Sequence, residues 1–167
     1  MLAVIEKAIN RVTSVMARLT TFALLLMILN VFYDVIMRYF FHNSAVAMQE
    51  MEWHLFTIVI LFGIGVGLKS ETHVRVDFLY EKFSRKSKAW INIIGALLFI
   101  IPLALLIIFG SSEFVKDSYV IKEISEDPGG LKYRWLIKAM IPASFSFLLL
   151  TAVAYIIRNI RTLREAR

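Results

Sequence analysis

The sequence predicts an all-α integral membrane protein: four transmembrane helices, with amphipathic interfacial helices at the N-terminus and in one loop. Three observations carry this. Apolar stretches run over about 19–37, 53–68, 91–110 and 139–157, each about as long as a helix needs to cross the ~30 Å hydrocarbon core at ~1.5 Å per residue. The composition is 59% hydrophobic, with a mean hydropathy of +0.69, well above that of a soluble domain. The connecting segments are charged and too short to fold as a second domain, so residues 1–167 read as a single membrane domain.

Charge orients the spans. The net charge is +6. Lys7, Arg11 and Arg18 precede the first stretch; Lys69, Arg75, Lys82, Arg85, Lys86 and Lys88 follow the second; Arg158, Arg161, Arg164 and Arg167 end the chain. These lie on one side of the membrane, against Arg38, Lys116, Lys122, Lys132, Arg134 and Lys138 on the other. The positive-inside rule then predicts both termini in the cytoplasm. The basic excess reads as topology plus attraction to anionic membrane lipids, at ~1 kcal/mol per residue near the surface, and not as nucleic-acid binding. Cysteine is absent, which excludes disulfides, thiolate metal sites and a cysteine nucleophile.

Residues 1–18 are the first predicted interfacial helix. Leu2, Ile5, Ile9, Val12, Met16 and Leu19 form one apolar stripe, and Glu6, Lys7, Asn10, Thr13, Ser14 and Arg18 cover the rest. A simple extension of span one is the alternative. Ala45-Val46-Ala47 resembles a signal-peptidase site, but the apolar run before it is too long for a signal h-region, so span one is expected to be retained. Asp34 and Arg38 close that span four residues apart, on one helix face, where they can neutralise each other. Glu50 and Glu52 open span two, at the positive end of the helix dipole. Two residues apart, they point away from each other and cannot act as an acid/base pair.

Within span two, Gly63 and Gly67 form a small-xxx-small pair that admits a close neighbouring helix. The loop that follows is the second predicted interfacial segment. Its Val74, Phe78, Leu79 and Phe83 are apolar, and Lys82, Arg85 and Lys86 stay wet. His73 and Asp77 can bond across one helical turn there, without enough ligands nearby for a metal. Pro102 predicts a kink in span three by freeing the carbonyl of Leu98. Glu113, Lys116, Asp117, Lys122, Glu123, Glu126 and Asp127 give the second outer connection mixed charge, and Asp127-Pro128-Gly129-Gly130 is a turn. Tyr133 and Trp135 anchor the start of span four, which carries Pro142. The span interiors are nearly all aliphatic, which suits a scaffold better than a conduit.

These residues resemble the small permease subunit of tripartite ATP-independent periplasmic (TRAP) transporters, the DctQ-like family. The likeness covers nearly the whole chain. It rests on Asp34-Val35-Ile36-Met37-Arg38-Tyr39, Gln49-Glu50-Met51-Glu52-Trp53-His54, Gly63, His73-Val74-Arg75-Val76-Asp77, Asp127-Pro128-Gly129-Gly130-Leu131 and Pro142. The resemblance implies a non-catalytic subunit without a cofactor in the bacterial inner membrane. Its partners would be a large membrane subunit carrying sodium-coupled transport of organic acids and a periplasmic substrate-binding protein. Because the chain stops after its fourth span, the large subunit is expected to be a separate chain. The resemblance makes Asp34, Arg38, Glu50, Glu52, His54, Gly63 and Gly67 candidates for the partner interface. It makes His73, Asp77, Arg85 and Lys86 candidates for a cytoplasmic arm, and Asp117, Glu123, Glu126 and Asp127 candidates for docking the binding protein. Two other functions compete with it. A b-type haem anchor needs two facing histidines at membrane depth, whereas His42, His54 and His73 lie near span ends or in loops. A self-contained proton-coupled exporter needs a mid-span carboxylate, whereas Asp34 lies close to an end beside Arg38.

Overall fold

The computed structural model describes residues 2–70 and 83–165. These form four helices long and apolar enough to cross a membrane: α1 (Leu2–Phe40), α2 (Val46–Ser70), α3 (Arg85–Val120) and α4 (Trp135–Glu165). Each encloses one of the predicted apolar stretches and extends beyond it. Alternating directions bring the connections 41–45 and 121–134 to one end of the bundle, here the loop end. The start of α1, the end of α2, the start of α3 and the end of α4 meet at the other, the terminal end.

The helix α4 is central. In its most apolar 18-residue window 44% of the residues are buried, against 11–17% in the other three helices. It packs on all of them, whereas α3 packs substantially on α4 alone, and α1 and α2 pack on each other. The core joins Leu68 of α2, Ala96 and Ala104 of α3, and Leu148, Ala152 and Tyr155 of α4. Alanines line the α3–α4 seam because small side chains let two backbones approach and gain dispersion where lipid gives no hydrophobic drive. Gly65 does the same between α2 and α4: a Cβ there would lie 2.6 Å from the Phe147 ring. Gly63 faces open space, so the close contact inside this chain falls at Gly65.

The residues of α1 that turn inward follow a 3-4 spacing: Glu6, Ile9, Thr13, Met16, Thr20, Ala23, Met27, Asn30, Asp34 and Met37. That is the period of a helix–helix seam, but its contents are largely polar or small. Phe22, Leu25, Leu29 and Phe32 point out, more than half exposed. A helix surrounded by hydrocarbon buries its polar groups against its neighbours and gives its large apolar groups to lipid or to another protein.

The same inversion corrects the reading of residues 1–18. They are not a separate interfacial helix; they continue into span one without a break as the first half of α1. Ile5, Val12 and Leu19 face outward, while Glu6 and Thr13 are buried. Most of the second expected interfacial segment, with His73 and Asp77, lies outside the described residues. Arg85 and Lys86, expected in an arm, instead form the first turn of α3, capped by the Ser84 hydroxyl accepting from the Ser87 N–H. In α3, Ala96–Ile100 widens into a π turn just before Pro102. That turn takes up the missing N–H and the ring clash with Leu98, so the helix continues to Val120.

Candidate functional site

The loop end gathers most of the singled-out polar residues. The first turns of α2 lie against the last turns of α1. The Asn30 side-chain amide donates to the Met48 carbonyl at 2.8 Å. One turn further on, the buried Asp34 carboxylate pairs with the half-exposed Arg38 guanidinium. Glu52 is near enough to feel both charges. The geometry is that of a locally neutralised set at the membrane boundary, with the guanidinium left half open to a neighbour.

Glu50 points away from Glu52, as their two-residue offset requires. One of its carboxylate oxygens accepts from the Ser125 hydroxyl and the other from the Leu131 backbone N–H. Both donors belong to the 121–134 connection. That connection is folded on itself: Ser125 N–H donates to the Leu131 carbonyl at 3.1 Å, Arg134 N–H to the Glu123 carbonyl at 3.2 Å, and Gly130 N–H to the Asp127 carbonyl at 3.0 Å. The last bond closes a type II turn, with Pro128 at its second position and Gly129 at φ +85° at its third. A Cβ on Gly130 would overlap Ser125 and the Glu50 carboxylate, so glycine there is what lets the carboxylate in. The entry to this loop is a Schellman cap on α3: Lys122 adopts φ +50°, Glu123 N–H donates to the Ser118 carbonyl at 3.0 Å, and Lys122 N–H to that of Tyr119 at 3.2 Å.

Glu123 ties the loop to α4. Its carboxylate pairs with the Lys138 ammonium and lies 3.8 Å from Arg134. Lys138 holds the Glu123 carboxyl below the usual carboxylate range. The same ammonium sits 4.0 Å above the Phe114 ring of α3, and Tyr119 meets Trp135 edge-on at 5.2 Å. Between this loop and α2 runs an open groove lined by Val46, Gln49, Trp53, His54, Asp127 and Arg134. His54 Nδ1–H donates to the Glu50 carbonyl at 2.6 Å, which turns the ring along α2 toward that groove.

The structure therefore brings Asp34, Arg38 and Glu52 into one set and Glu50, His54 and Asp127 into another. Glu123 is engaged by Lys138 and Arg134. Asp117, Glu126 and Asp127 remain exposed on the same surface. Gly63 and Gly67 lie further along α2, and His73 and Asp77 are outside the described residues. Sequence reasoning missed Ser125, the Leu131 N–H and Lys138. The turn motif at 127–130 was visible, but its partner lies 75–81 residues away, beyond any local periodicity. Chemically, the Glu50 and Glu123 carboxylates hold a loop in one conformation. That fixes the shape of the loop-end surface.

Residues 27–162 match the family described as Tripartite ATP-independent periplasmic transporters, DctQ component. The chain is also 28% identical over 107 residues to the Sialic acid TRAP transporter permease protein SiaT of Haemophilus influenzae (strain 86-028NP), a match covering 64% of this chain and 17% of that protein. The chain thus matches less than a fifth of the length of that curated relative.

Proposed function

From its membership of the DctQ component family of TRAP transporters, to which this chain belongs, we propose that it is the small, non-catalytic membrane subunit of a sodium-coupled importer of organic acids. It braces a large transport subunit in the inner membrane and contributes part of the surface on which a periplasmic binding protein docks. The observation that carries this reading is the loop clamped to α2 by Glu50, on the same end as the half-open Arg38. A docking surface gains from such preorganisation, because little ordering entropy is left to lose on binding.

Orientation follows from charge: the terminal end, with its basic excess, faces the cytoplasm, and the loop end faces the periplasm. The relative's name supplies sialic acid as its own substrate. For this chain we extend that only to organic acids as a class. Arg38 and Glu52 then meet the large subunit near the outer boundary, with Gly63 and Gly67 offering it a close helix approach. Asp117, Glu126 and Asp127 face the binding protein.

Affinity purification of the full chain from its native membrane in mild detergent tests this. A much larger membrane protein should be retained with it. A chain that purifies alone under every mild condition contradicts the brace.

A further inference from the structure

At the terminal end, the first turns of α3 and the last turns of α4 flank a groove of about 240 Å³ lined by Lys86, Trp90, Ile160, Leu163 and Arg164. Lys86 and Trp90 are one helical turn apart on α3, and Ile160 and Arg164 one turn apart on α4. Each helix therefore offers the groove one cation, with Trp90 from α3 and Ile160 and Leu163 from α4 as its apolar side chains. Three other cations at this end are engaged by neighbouring helices. Arg161 pairs with Glu6 at 2.9 Å and approaches Glu165 at 3.7 Å. Lys69 donates to Asn10 and Ser14, and Arg158 to the Lys69 carbonyl. Lys86 and Arg164 have no carboxylate partner among the described residues.

The groove also sits at a definite depth. Trp90 is 56% exposed and begins the outward apolar face of α3, which continues through Ile91, Ile94 and Leu97. Exposed tryptophan at the start of such a face marks the headgroup level of a bilayer. The cations thus lie at headgroup depth, with apolar side chains on both helices below them.

The geometry points to a binding site for the phosphate headgroup of an anionic glycerophospholipid, held by Lys86 and Arg164, with its acyl chains running along Trp90 and Ile160. Charge complementarity selects the occupant: two cations flanking one groove, without a carboxylate partner among the described residues, attract a phosphate without a compensating ammonium. The site rests on the membrane-spanning reading and holds in either orientation.

Native mass spectrometry of the full chain released from mild detergent, titrated with phosphatidylglycerol or phosphatidylcholine, reads the site directly. Phosphatidylglycerol should be retained on the order of tenfold more strongly. The double variant Lys86→Gln/Arg164→Gln should lose that preference. The control Lys116→Gln/Lys132→Gln, which removes the same charge from exposed positions at the loop end, should keep it. All four side chains are exposed, so unchanged helical circular dichroism is expected throughout. Equal retention of the two lipids by the unaltered chain would overturn the proposal, as would unchanged preference in the first double variant. Displacement of phosphatidylglycerol by millimolar inorganic phosphate would also overturn it, since the site would then be one for free phosphate. Loss of a co-purifying partner changes none of these readings, so failure here is separable from failure of the brace.

Discussion

The two ends of the bundle solve the same problem with opposite charges. At the loop end, carboxylates are the organising groups: Glu50 holds Ser125 and Leu131, and Glu123 holds Lys138 and Arg134. At the terminal end the organising groups are mainly cations: Lys69 reaches two groups of α1, Arg158 reaches the end of α2, and Arg161 reaches Glu6. The first arrangement fixes a loop, and the second ties helix ends together. A carboxylate accepts from backbone N–H groups, which connections offer in plenty. A long cation reaches oxygen acceptors on a neighbouring helix, as Lys69 and Arg161 do on α1 and Arg158 does at the end of α2. The difference separates a loop held in one shape from helix ends held to one another.

The sharpest way to break this contrast is at Glu50. Glu50→Ala leaves the Ser125 hydroxyl and the Leu131 N–H without their acceptor, a local loss of about 2–3 kcal/mol for two bonds to a charged group at a partly exposed site. Amide hydrogen exchange at Leu131 should speed up, and proteolysis within 125–131 should appear, with α4 unchanged. Arg38→Ala comes next. It strands the buried Asp34, at about 1–2 kcal/mol, less than a fully buried pair because Arg38 is half exposed. It should lower the yield of complex with the large subunit more than Lys86→Ala does, and equal yields would remove Arg38 from the interface. At the terminal end, Arg161→Ala should cost at most about 0.5–1 kcal/mol, since 43% of that side chain is exposed, as read by thermal unfolding in detergent.

The smallest effect is one of pH. Lys138 depresses the Glu123 carboxyl in the folded chain. Its contribution is therefore fully present above the ordinary glutamate value near ~4.3, and is lost as pH falls through the lower folded value. Loop protection against protease should weaken on acidification in that window. Glu123→Gln should flatten the dependence, whereas the terminal end should show none from this source.

Much of the fold was legible because length and hydropathy act locally. The four spans, the turn at 127–130, the disturbance at Pro102 and the opposed directions of Glu50 and Glu52 all follow from spacing within a few residues. Two things were not legible, for different reasons. Residues 1–18 have the period of an amphipathic helix, but period alone does not say which face turns inward. In α1 the inward face holds Glu6, Ile9 and Thr13 while Ile5 and Val12 turn out, so the apolar stripe is split between the two faces. The clamp on the 121–134 loop depends on Glu50 meeting residues 75 and 81 positions away, and only the packed bundle brings them together. Gly65 was overlooked for a related reason: its neighbour Phe147 comes from α4, whereas Gly63 and Gly67 were singled out by their mutual spacing.

As proposed, these four helices brace another protein's transport machinery and do not themselves form the path. Reconstitution into proteoliposomes tests it most directly. An imposed sodium gradient is applied to vesicles holding the chain alone, or the chain with the co-purified large subunit and the binding protein loaded with its organic acid. Accumulation is expected only in the complete system, with none above empty vesicles for the chain alone. Gradient-driven uptake by the chain alone would contradict it.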